Sequence, residues 1–173
     1  MQPWTLLVVS HVAAALTSVL LGGYQLWRRP RGDGRHRLLG RTWVALMLWT
    51  AITSFWIRDI NDGAFSWLHV LSVVTLITVS MGVVNARRGA IAAHRGNMVG
   101  SWLGALGAMV AAVAVPGRMV PTYAVARPGG ALAFAVSVVL ATAVLVVLGA
   151  RLGAFLDRRA AGAGVRTGVA AGA

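Results

Sequence analysis

Histidine is the residue type in this chain best suited to chemistry, and its four copies form two pairs at one spacing. His11 and His69 are 58 residues apart, and so are His36 and His94. The same offset relates Arg29 to Arg87, Arg37 to Arg95, Thr17 to Thr75 and Val12 to Val70. A fixed offset of this kind reads as a duplicated unit. If equivalent positions face one another, four scattered imidazoles become two facing pairs, and a facing pair can hold a metal centre. Cys and Glu are absent, and the acidic residues are Asp33, Asp59, Asp62 and Asp157, all outside the apolar stretches. Thiolate sites, iron–sulfur clusters and intramembrane carboxylate pairs are thereby excluded. Two imidazoles alone underligate zinc or copper. Iron in a porphyrin needs only two axial protein ligands, so bis-histidine haem b, at two sites, fits this inventory best.

The elements that must position these rings are membrane helices. Hydrophobic residues make up 58% of 173 positions and charged residues 12%, with a mean hydropathy of +0.75. Soluble domains carry about twice that share of charge. About 20 apolar residues cross a bilayer as helix, and five segments approach that length. They are Trp4–Trp27, Thr42–Ile57 (extended toward His36), Ser66–Ala86, Gly96–Val115 and Gly130–Leu152. The prolines (Pro3, Pro30, Pro116, Pro121, Pro128) stand before or between them, where a missing backbone donor costs little. The first segment lacks the basic leader of a signal peptide.

All sixteen basic residues are Arg, giving a formal charge of +12. They cluster between spans and read as topology determinants rather than as a nucleic-acid surface. Residues 28–41 hold six, 87–95 three and the region from Arg151 onward four, against only Arg58, Arg118 and Arg127 on the opposite side. The positive-inside rule then places the amino terminus outside and the carboxyl terminus in the cytoplasm. The expected architecture is all-α: one transmembrane domain over 1–152, a four-helix bundle from two tandem two-helix repeats (4–57 and 62–115), plus a fifth transmembrane helix over 130–152. A cytoplasmic tail, 153–173, has little to bury and is expected to be disordered. The fifth span, outside the repeat, is expected at the periphery or against a partner subunit, in a homo- or hetero-oligomer.

Parallel repeats are related by an axis along the membrane normal. His11 and His69 then lie in the outer leaflet, and His36 and His94 at the cytoplasmic ends of spans two and four. Eleven residues make three helical turns, so Gly22 shares a face with His11, and Ser80 with His69. Gly40, Thr50 and Ser54 lie on the His36 side of span two; Met98, Ala108 and Ala112 lie on the His94 side of span four. Small residues thus face the axis where a bulky planar group needs space. Arg35, Arg37, Arg41 and Arg95 stand where haem propionates would be neutralised, although each also serves as a topology anchor. The run Gly96, Gly100, Gly104 has a plainer reading as helix packing. The outer pair, deep in apolar sequence, is the stronger haem candidate, because intramembrane polar groups are costly. The inner pair borders the basic loops, where water is an alternative partner.

Short strings support a resemblance: His11-Val12, His36-Arg37-Leu38-Leu39-Gly40-Arg41, Ser66-Trp67-Leu68-His69, His94-Arg95-Gly96-Asn97-Met98 and Pro116-Gly117-Arg118. Over about residues 4–150 the chain resembles the uncharacterised bacterial membrane proteins of domain-of-unknown-function family 2306. That resemblance implies a multi-pass membrane protein and no agreed activity. In layout alone, four histidines in two leaflets are also similar to dihaem cytochromes of the b561 type. The chain departs from them in having His36 and His94 at span ends, and architecture does not establish function.

Two functions follow as expectations. One is a transmembrane electron carrier with haem b at His11/His69 and at His36/His94, exchanging electrons with a quinone or a redox protein. The other is a cofactor-free multi-pass protein, a small-solute carrier or an assembly subunit, whose histidines relay protons or bind substrate. An intramembrane hydrolase is the poorest fit, because no buried acidic orienter or HExxH motif is present.

Overall fold

The computed structural model describes residues 5–58, 67–114 and 119–170. Among them are six helices: α1 (Leu6–Trp27), α2 (Gly34–Ser54), α3 (Trp67–Arg87), α4 (Ile91–Ala114), α5 (Met119–Ala126) and α6 (Pro128–Ala170). Local chemistry fixes their ends. The Thr5 hydroxyl accepts the Val8 N–H at 3.3 Å and starts α1; the Asp33 carboxylate accepts the His36 N–H at 2.9 Å and starts α2. Gly89, at φ +74°, makes the tight turn from α3 to α4, a conformation that side chains disfavour. Pro128 opens α6, where its missing N–H would have had no partner.

Packing closes α1 to α4 into a ring. α1 lies against α2 and α4, and α3 lies against α2 and α4, while among the described residues the backbones of α1 and α3, and of α2 and α4, stand across the ring from each other. The two histidine pairs therefore sit on the two diagonals. α6 packs outside the ring on α2 and α1, and α5 lies beside α6 and α4. Leu21, Leu39, Trp43, Met47 and Val79 form the buried core, with Tyr24, Met98 and Trp102 against it.

The polarity of α3 is inverted relative to a soluble protein. His69, Ser72 and Thr75 are buried, whereas Val70, Val74, Ile77 and Met81 are exposed. Such a helix is stable only where the surroundings are apolar. Four helices, α1, α3, α4 and α6, are long and apolar enough to cross a membrane.

α2 is not among those four. Arg35, Arg37 and Arg41 occupy its first turns, leaving a shorter apolar stretch than the expected second span assumed. α4 begins at Ile91 rather than Gly96, which puts His94 inside a helix. α5 was not anticipated, because Pro121 reads as a breaker, yet it falls in the first turn, where proline is tolerated. α6 runs past Leu152 into the stretch expected as a disordered tail, since Ala, Leu and Arg are strong helix formers. Asp157 accepts the Gly34 N–H with both carboxylate oxygens, at 3.0 and 2.9 Å, which docks this extension on α2. The Pro116-Gly117-Arg118 string lies outside the described residues.

Candidate functional site

The inner histidines are placed by two helix starts. Arg28 grips Asp33 with both terminal nitrogens and donates to the Pro30 carbonyl at 2.8 Å. The Arg28 guanidinium holds the Asp33 carboxyl down at about 2, against the opposing effect of burial and with help from the His36 N–H. Asp33 thus stays ionised and caps α2 with His36 in its first turn. On α4, His94 Nδ1 lies 2.9 Å from the Gly82 carbonyl oxygen of α3. A carbonyl can only accept, so Nδ1 carries a proton. The two rings meet edge-on, with centroids 6.4 Å apart and planes at 86°. His36 Nδ1 and Gln25 Oε1 are buried without a hydrogen-bond partner among the described residues. The Gln25 amide itself is anchored, donating to the His36 carbonyl at 3.1 Å.

The outer histidines, on α1 and α3, are both engaged at the C-terminal end of α2, by Thr53 and by the capping Phe55. His11 Nδ1 lies 2.9 Å from Thr53 Oγ1. The Thr53 hydroxyl also has the Trp49 and Thr50 carbonyls in reach, at 2.7 and 3.2 Å, and with its proton on either carbonyl a lone pair is open to an imidazole N–H. His69 is buried and lies against the Phe55 ring, at 6.0 Å between centroids. Sequence reasoning favoured the outer pair as the haem site; the inner pair is in ring contact as well.

The other expected site residues are dispersed. Gly22 is buried, but the space a Cβ would take is filled by the indoles of Trp43 and Trp102. Those indoles donate from Nε1 to the Ser18 and Val19 carbonyls, both at 2.9 Å. Ser80 is exposed. Gly40 approaches only Gln25, and Ala108 is half-buried. The Thr50 hydroxyl is satisfied by the Leu46 carbonyl at 2.9 Å. Ser54 reaches across to Ser72 at 2.6 Å. Arg37 turns outward to Asp157 at 3.3 Å, and Arg95 is exposed. In the glycine run, a Cβ on Gly96 or Gly100 would meet nothing within 4 Å, and one on Gly104 would meet Leu71 of α3 at 3.6 Å, so of the three Gly104 alone faces a neighbouring helix among the described residues.

Hydrogen bonds nonetheless join every adjacent pair in the ring. His11–Thr53 joins α1 to α2, Ser54–Ser72 joins α2 to α3, Thr78–Ser101 (2.8 Å) joins α3 to α4, and Trp102 to the Val19 carbonyl joins α4 to α1. Thr53, Ser72, Thr78, Ser101 and the two tryptophans were missed as site residues. A signal existed for some, since His69, Ser72, Thr75 and Thr78 recur every third residue. Among the described residues no three of His, Cys, Asp or Glu cluster as a metal cage.

A family model described as "Predicted membrane protein (DUF2306)" matches residues 8–156. No curated protein and no solved structure matches, and nothing among the comparisons supports the b561-type likeness.

Proposed function

The chain belongs to the DUF2306 family of multi-pass membrane proteins, and from that premise we propose that it is a small-solute carrier working without a prosthetic group, in which imidazole and hydroxyl side chains relay protons. One observation carries this reading: the polar interior is built of groups that can both give and take a proton. The Thr53 hydroxyl lies between His11 Nδ1 and the Trp49 carbonyl, so it can take a proton from one and give one to the other. Ser54 has two acceptors in reach, the Ala51 carbonyl at 2.7 Å and Ser72 Oγ at 2.6 Å. Thr78 faces both the Val74 carbonyl and Ser101. A hydroxyl with a donor on one side and an acceptor on the other is the minimum unit of a relay, and intramembrane ionisable groups are costly unless used. The repeat, α2 as a spanning helix and the outside-to-cytoplasm orientation belong to this proposal; the 58-residue spacing, the α1–α2 and α3–α4 hairpins and the arginine distribution support them.

The test is proton flux into vesicles containing the purified protein under an imposed potential. Protein-dependent flux that falls in His11→Ala and Thr53→Val supports the relay. Flux equal to that of empty vesicles removes it.

A second reading, an electron carrier with haem b, is favoured by one geometric fact. About 2 Å per metal–nitrogen bond, plus about 1 Å from nitrogen to ring centre, puts trans-imidazoles about 6 Å apart, close to the 6.4 Å between His36 and His94. The Nδ1 bond of His94 to a carbonyl is also the usual orienting contact of a ligating imidazole. The tryptophan-filled space at Gly22 speaks against room for a porphyrin. In this reading the haem would exchange electrons with a quinone or a redox protein. A reduced-minus-oxidised spectrum of protein from haem-replete cells, repeated on His36→Ala, decides between the two.

A further inference from the structure

We propose that the groove between α2 and α6 is a binding site for one anionic phospholipid, with its phosphate on Arg151 and an acyl chain along the leucines beside it. This goes beyond the relay and does not depend on it. The groove is walled by Leu38 and Thr42 of α2 and by Leu145, Leu148 and Leu152 of α6, with Arg151 at its charged end. Its origin is a close helix approach. Leu39 Cδ2 lies 2.4 Å from where a Cβ on Gly149 would stand, so the two backbones come together there and leave a furrow alongside. From Leu145 to Arg151 is about 9 Å of helix at about 1.5 Å per residue, enough apolar wall for part of a chain but far more than a free phosphate needs.

Charge selects the headgroup. Arg37 is taken by Asp157, and Arg35 donates Nε to the Ala150 carbonyl at 3.0 Å, immediately beside Arg151. Arg151 and Arg41 are exposed and form no ion pair among the described residues. A span as apolar as α6 is surrounded by lipid. A basic recess at the end of such a span is where an anionic headgroup is held.

The experiment titrates the full chain in neutral detergent with phosphatidylglycerol, phosphatidylcholine or inorganic phosphate, read by native mass spectrometry. One phosphatidylglycerol should bind saturably, phosphatidylcholine far more weakly and phosphate not at all. Arg151→Gln should weaken binding about fivefold, whereas Arg127→Gln at the other end of α6 should not change it. Thr42→Trp, which fills the furrow and keeps Arg151, should abolish it. Equal binding of the two lipids, binding of phosphate alone, unchanged affinity in Arg151→Gln, or conversion to a dimer in place of a lipid adduct would each overturn the proposal.

Discussion

His94 and Gly82 are joined across the α3–α4 hairpin by a 2.9 Å contact from Nδ1 to the backbone oxygen. Glycine at 82 makes that approach possible, because the Met98 methyl occupies the place a Cβ would take and Asn97 stands 3.3 Å from it. Gly82→Ala should therefore cost about 1–3 kcal/mol through overpacking. Because the obstruction is the far end of a flexible side chain, Met98→Ala should relieve most of it. Denaturant unfolding of both single variants and the double variant checks this, and strictly additive losses would contradict it.

The docking of α6 rests on two glycines facing each other. A Cβ on Gly153 would lie 2.5 Å from the Arg35 nitrogen and 2.8 Å from the Gly34 carbonyl carbon, both backbone atoms that cannot swing aside. Gly153→Ala should lower stability by about 2–3 kcal/mol. Gly107→Ala meets nothing within 4 Å and should be neutral or stabilising, by up to about 1 kcal/mol from helix propensity. Thermal unfolding of the two variants side by side measures the contrast.

Much of the fold was legible because length and hydropathy dictate helices in lipid, and the spacing of the histidines placed them on equivalent elements. The angular position of each side chain was not. The buried stripe on α3 runs His69, Ser72, Thr75, Val79, Gly82, in steps of three and four as packed helices do. Counting three full turns from His69 lands on Ser80, which such a seam has already left behind. Arg37 likewise stands near His36 in sequence, but its partner is Asp157, 120 residues away. Only tertiary packing could reveal that pairing. Equivalence by repeat also gave no reason to rank the inner pair over the outer. Nor did it show that Thr53 of α2 engages His11 and that the capping Phe55 lies against His69.

Asp33 gives a pH signature outside the membrane. Its folded value of about 2 lies below the ordinary value of 3.8, so its contribution to stability is complete above the higher value and is lost as pH falls toward the lower one. Asp33→Asn keeps the cap but loses the charge. Its deficit in Tm relative to the parent should shrink between pH 5 and pH 2. A deficit that stays constant over that interval would contradict the pairing with Arg28.

Trp43 and Trp102 tie α2 and α4 to α1 through their indole N–H groups. Replacing either with Phe should cost about 1 kcal/mol for the bond, and replacing it with Ala about 3–5 kcal/mol for the space. Unfolding midpoints in detergent discriminate the two terms.

Proton flux in vesicles, compared between the parent, His11→Ala and Thr53→Val, tests the proposed relay most directly. Thr53→Val keeps the shape of the side chain and removes only the hydroxyl between His11 and Trp49. Flux well above that of empty vesicles, lost in both variants while their folded content is unchanged, is the expected result. Flux that persists at the parent rate without that hydroxyl, or no flux from the parent at all, contradicts it.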